Sequence, residues 1–208
     1  MGNVKSAVLV GAKNARESQR KATVSPYAPA KGVEALGSSA IFMAVGLVLA
    51  YFSHVAGLSV RTILPLHYPP LLAGLALSPI YALMVGVLTP ALSSGLTGFP
   101  TMAQVLRMIP ELAAYGLVTS LMLKILPVIP GLRAWMGRLA AMMLAMLAAM
   151  FVGRMIYIVL YVAASWPETL TLGYFTMILL IPAWPGIIAQ LILLPPLAQK
   201  LLKIANRA

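Results

Sequence analysis

From Thr62 to Leu106 the chain carries no Asp, Glu, Lys or Arg. A helix needs about 20 apolar residues to cross a bilayer, so this run alone is long enough for two crossings. A soluble domain has about 25% charged residues. This chain has 9%, with 61% hydrophobic residues and a mean hydropathy of +0.94. The strands of a membrane barrel must alternate apolar and polar residues, and these long runs do not. The sequence therefore predicts an all-α membrane protein, a transmembrane bundle forming one domain.

Six spans can be marked. They run from Ser38 to Gly57, Leu66 to Pro79, Ile80 to Gly98, Thr101 to Leu126, Leu139 to Ala164, and Leu172 to about Gln199. The second is short, with Pro69 and Pro70 suited to its first turn. The sixth is expected to be interrupted by Pro182, Pro185, Gly186, Pro195 and Pro196. Residues 38–202 are expected to form the membrane domain, residues 1–37 a flexible basic cytoplasmic tail, and residues 203–208 a basic cytoplasmic end.

Charge sets the orientation. The net charge is +11, and most of the basic residues fall on one predicted side. These are Lys5, Lys13, Arg16, Arg20, Lys21 and Lys31 in the tail, Lys124 at the inner end of the fourth span with Arg133 and Arg138 after it, and Lys200, Lys203 and Arg207 at the end. Cytoplasmic loops carry such an excess, so both termini are expected in the cytoplasm of a multi-pass cell-membrane protein. This account of the charge removes the case for a nucleic-acid partner. The apolar "AVLVGA" is too short for a signal peptide. "MGNVKS" matches the loose myristoylation pattern.

Arg107 and Arg154 are left inside the membrane, with Glu111 the one acid within the spans. Counting 1.5 Å per residue from the outer ends puts Arg107 about 9 Å deep, Glu111 about 15 Å and Arg154 about 16 Å. Glu111 has the spacing to pair with Arg107 on its own helix and the depth to pair with Arg154 on the next. It cannot neutralise both, so one positive charge remains, and such a charge belongs in the bundle interior or a wet cavity. Pro110 withholds a donor from the Leu106 carbonyl and should kink the helix. Arg154, Tyr157 and Tyr161 share a face at i, i+3 and i+7. Trp184 and Gln190 belong to the broken sixth span, and His67 to the loop before the second. Arg107, Glu111, Arg154, Tyr157, Tyr161, His67, Trp184 and Gln190 are the candidate substrate-binding residues. Whether Glu111 and Arg154 form a purely structural pair or part of a ligand wall is open on these grounds.

Other chemistry finds little support. The chain has no cysteine, and so no disulfide and no thiolate site. It has no phosphate-binding G-x-x-x-x-G-K-[ST] loop and no H-E-x-x-H or G-x-S-x-G motif. A protease built from Ser93 or Ser94 with His67 lacks a third group. No His, Asp or Glu close in sequence completes a metal site with His67. The expectation is a non-enzyme without metal or cofactor. Small residues four apart recur on the first span (Ala40 and Ala44, Gly46 and Ala50) and on the fifth (Ala141, Ala145, Ala149). Such faces let helices approach closely, within the bundle or against a partner.

The segments "LHYPPLLAGLALSPIYALMVGVLTPALSSGLTGFPTM", "RMIPELAAYGLVTSLML", "GRMIYIVLY" and "PGIIAQLILLPP", taken in order, resemble the S component of energy-coupling factor (ECF) vitamin transporters. The resemblance covers roughly Ser38 to Leu202. It implies a six-helix subunit of an ABC importer that captures a vitamin or related micronutrient from outside. It also implies association with a transmembrane T component and two ATPase subunits, as in prokaryotic inner membranes. Ala40-x-x-x-Ala44 matches the small-residue face that meets the T component. The ligand site is implied among the outer ends of helices four to six. Ligand residues vary among S components, so the resemblance does not name the substrate; the charges favour an anionic, pantothenate-like compound. The alternative is a non-transporting membrane scaffold.

Overall fold

The computed structural model describes residues 32–126, 137–165 and 181–205, less the side chains of residues 60, 61, 164, 165 and 205. Helix α1 is Val33–Val55, α2 Val60–Ile63, α3 Tyr68–Ala76, α4 Pro79–Thr97, α5 Met102–Ile125, α6 Arg138–Ser165 and α7 Trp184–Ala205. Single 3-10 turns at Pro65–His67 and Ile181–Ala183 lead into α3 and α7. No β-strand is present among the described residues. Five segments, corresponding to α1, α4, α5, α6 and the 3-10 turn with α7, are long and apolar enough to cross a membrane. Their outward faces carry Ile41, Val45, Phe52, Phe151, Val159 and Ile192, all exposed. A water-facing surface would not carry so many large apolar side chains; a lipid-facing one does.

Several boundaries differ from the sequence expectation. The first helix begins at Val33, not Ser38, because nothing in Val33–Gly37 breaks it. The second predicted span shrinks to the nine residues of α3, about 14 Å of helix, under half of a bilayer core. Leu64 and the Pro65–His67 turn take up the chain before it, and Leu77 leaves it in extended conformation. Pro195 and Pro196 do not interrupt the last helix, which runs through them to Ala205. A proline within a membrane helix leaves a carbonyl unpaired but does not force a break where neighbouring helices support the backbone. Residues 1–31, the Arg133 loop and the Glu168 loop lie outside the described residues.

Helix α5 occupies the centre and packs against α3, α4 and α6. Glycines make those contacts close. A Cβ at Gly86 would strike the backbone of Leu112 and Ala113, and one at Gly116 would strike the Ala82 carbonyl. Gly74 on α3 sits against Thr119 and the Gly116 carbonyl. Gly46 on α1 admits the Pro69 ring. With no side chain between them, helix backbones can approach within van der Waals reach. Ser120 donates to the Leu77 carbonyl at 2.9 Å, satisfying an acceptor at the end of α3 that has no helical partner.

One end of the bundle gathers the loops. Helix α4 stops at Gly98, whose φ of 72° suits a residue without Cβ. Ser93 donates to the Phe99 carbonyl at 2.7 Å, so this hydroxyl closes the α4–α5 turn. Thr101 caps α5, with its N–H donating to Gln104 Oε1 at 3.3 Å. The Phe99 ring stacks on His54, near the end of α1, at 4.9 Å. The start of α7 meets α2 at the same end, where Gly186 presses on the carbonyls of Thr62 and Ile63.

Candidate functional site

Glu111 lies on the middle of α5 with 1% of its surface exposed. Arg154 reaches it from α6, Nη1 to Oε1 at 3.2 Å. Tyr115, one turn further along α5, donates its hydroxyl to the same oxygen at 3.1 Å. His67 approaches from the 3-10 turn before α3, with Nε2 3.8 Å from that oxygen. Its ring lies 5.4 Å from that of Tyr115. Four side chains from three separate segments thus meet at one carboxylate oxygen.

Local sequence explains the convergence. Gly153 precedes Arg154, and a Cβ there would collide with the Tyr115 ring and the Glu111 carbonyl. Its absence lets α6 settle against α5 so that the Arg154 side chain spans the gap. On α5, Glu111 and Tyr115 stand at i and i+4, neighbours on a helix surface. The proline-led entry to α3 turns the chain back into the bundle and carries His67 with it. Sequence distance suggested that no acid lay near His67; the fold brings Glu111 beside it, because α3 packs along α5. No group of three His, Cys, Asp or Glu side chains suited to a metal occurs among the described residues.

Arg107 stands one turn before Glu111 on α5, yet it does not pair with it. Its Cζ lies 5.0 Å from the centre of the Tyr161 ring, a cation–π contact. Arg154 lies 5.9 Å from the Tyr157 ring. The two tyrosine rings stack on each other at 6.4 Å. Arg107, Tyr161, Tyr157, Arg154 and Glu111 therefore form a continuous ladder between α5 and α6. Arg107 has no carboxylate partner among the described residues, and its Nε is buried without a hydrogen bond.

Compared with known proteins, the chain matches no family model, no curated protein and no solved structure.

The remaining candidates divide. Gln190 on α7 is fully buried with neither amide atom hydrogen-bonded. Trp184, at the first position of α7, is 57% exposed and does not join the ladder; the 3-10 turn before it sets it on the outside of the bundle. Ala40 and Ala44 are exposed on α1, whereas Gly46 and Ala50 on the same helix are buried. Ala141, Ala145 and Ala149 pack inside. Sequence reasoning overlooked two residues of the site, Tyr115 and Gly153. The i, i+4 spacing of Tyr115 from Glu111 was a usable signal. Gly153 had none beyond its place beside Arg154.

Proposed function

We propose that this protein is the substrate-binding subunit of an ECF-type ABC importer, a binder of a small anionic micronutrient rather than an enzyme. The observation that carries the reading is the inequality of charge at the site. Glu111 is taken by Arg154 and Tyr115, and among the described residues Arg107 is left within the helix bundle without an acid. Ionisable residues inside a membrane are expensive and usually mark a substrate path or a pair; Arg107 has no acidic partner among the described residues. A carboxylate ligand would supply the missing charge and accept charge-assisted hydrogen bonds from the guanidinium. Tyr157 and Tyr161 would lie along its organic part.

In this reading the Pro65–Leu77 segment completes a sixth crossing, and both termini face the cytoplasm of a prokaryotic inner membrane. The exposed Ala40 and Ala44 would receive a transmembrane T component, which joins the protein to two ATPases. The sequence resemblance and the exposure of this small-residue pair support that docking.

Affinity purification of the tagged chain from its host membrane tests the assignment. Co-purification of a T component and ATPase subunits is expected. Their consistent absence would return the protein to the scaffold class. The isolated chain is expected to bind no ATP, since no phosphate loop is present.

A further inference from the structure

Gln190 is 0% exposed, and neither its amide oxygen nor its amide nitrogen has a hydrogen-bond partner among the described residues. An unpartnered buried amide destabilises a fold, whereas an apolar group of the same shape would not. The other buried residues of α7 are small or apolar: Gly186, Leu194, Pro195, Ala198 and Leu202. Leucine at position 190 would continue that pattern. His67 poses the same question, since it is 5% exposed and neither ring nitrogen is hydrogen-bonded among the described residues.

The fold brings together the segments that carry these two residues. Gly186 presses on the carbonyls of Thr62 and Ile63. Gln190 follows Gly186 by one turn on the same helix face. His67 follows Ile63 by four residues, in the segment that leads into α3, and α3 itself packs on α7. On its other side His67 stands 3.8 Å from Glu111. Arg107 lies one turn beyond Glu111, about 6 Å along the helix.

The polar strip therefore has two unlike ends. We infer that the site takes a two-ended ligand, with an anionic group at Arg107 and a neutral hydrogen-bonding group, an amide or hydroxyl cluster, at Gln190 and His67. This rests on the anion-binding reading proposed above and adds the chemistry of the far end. One helical turn plus the His67–Glu111 separation gives about 10 Å from Arg107 to His67. The side chain of Gln190 offers a donor and an acceptor in one plane, which matches a ligand amide edge to edge. A site that leaves buried polar groups unpaired rejects an analogue lacking the matching group strongly.

The test is a binding titration of purified full-length protein with three probes of similar length. Pantothenate has a carboxylate at one end, and an amide and hydroxyls towards the other. Panthenol replaces the carboxylate with an alcohol. Nonanoate keeps the carboxylate and has no other polar group. Wild-type protein should bind pantothenate at least about tenfold more tightly than either analogue. Gln190→Leu should bring pantothenate down to the level of nonanoate, keep the preference for pantothenate over panthenol, and raise the melting temperature of the ligand-free protein. Equal wild-type binding of pantothenate and nonanoate overturns the two-ended ligand and leaves the anion reading standing. Equal binding of pantothenate and panthenol overturns the anion reading and leaves the Gln190 end standing. Binding of none of the three overturns both. A Gln190→Leu protein with its pantothenate preference intact, or with a lowered melting temperature, shows that the amide serves the fold through bound water.

Discussion

The Arg154 guanidinium lies 3.2 Å from the Glu111 carboxylate, across the contact between α5 and α6. Both groups are largely withdrawn from solvent. Breaking one side of a buried pair leaves an uncompensated charge, which costs roughly 3–5 kcal/mol. Arg154→Met and Glu111→Gln should each lower stability by that order, read by thermal unfolding in detergent. The double variant should cost well under the sum, because it leaves no orphaned charge. Additive losses would mean that the two side chains act independently.

Gly153 sets the spacing that this pair requires. Gly153→Ala puts a methyl against the Tyr115 ring and the Glu111 carbonyl. Overpacking of this kind costs about 1–3 kcal/mol. Gly95, on α4, has nothing within 4 Å of a built Cβ. Gly95→Ala should therefore be neutral or gain about 0.5–1 kcal/mol, as alanine is the better helix former. Matching melting temperatures for the two variants would contradict the close approach at Gly153.

How far the site was legible depended on whether helical geometry alone could reach it. Counting residues from the helix ends put Glu111 and Arg154 at one depth, and they meet. The shared face of Arg154, Tyr157 and Tyr161 also followed from helical spacing, and the two tyrosines do stack. The choice of Glu111 partner stayed open, because nothing local says which arginine reaches first; the ring of Tyr161 draws Arg107 aside. His67 could not be placed, since its contact with Glu111 depends on where a short, proline-led helix folds back. Pro195 and Pro196 suggest a break, but local propensity yields when neighbouring helices hold the backbone. Trp184 is a candidate from its place on the broken sixth span, and no local signal tells its helix face.

Ala40 and Gly46 look alike in sequence, as small residues on one helix, but they differ in surroundings. Ala40 and Ala44 are exposed, and Gly46 is filled by Pro69. Ala40→Leu and Ala44→Leu should leave the unfolding free energy within about 0.5 kcal/mol of wild type and abolish co-purification of the proposed T component. Gly46→Leu should instead disrupt the bundle. Assembly that survives both alanine substitutions would remove α1 from the docking face.

Arg107 carries the central claim, that the site binds an anion. The direct measurement is a titration of wild type and Arg107→Ala with the small molecule that native mass spectrometry identifies on protein purified from its host. The claim predicts an acidic compound and a loss of roughly 2–5 kcal/mol of binding free energy in Arg107→Ala, with partial recovery in Arg107→Lys because an ammonium lacks the planar fork. Unchanged affinity in a folded Arg107→Ala protein, or a bound compound without an anionic group, would contradict it.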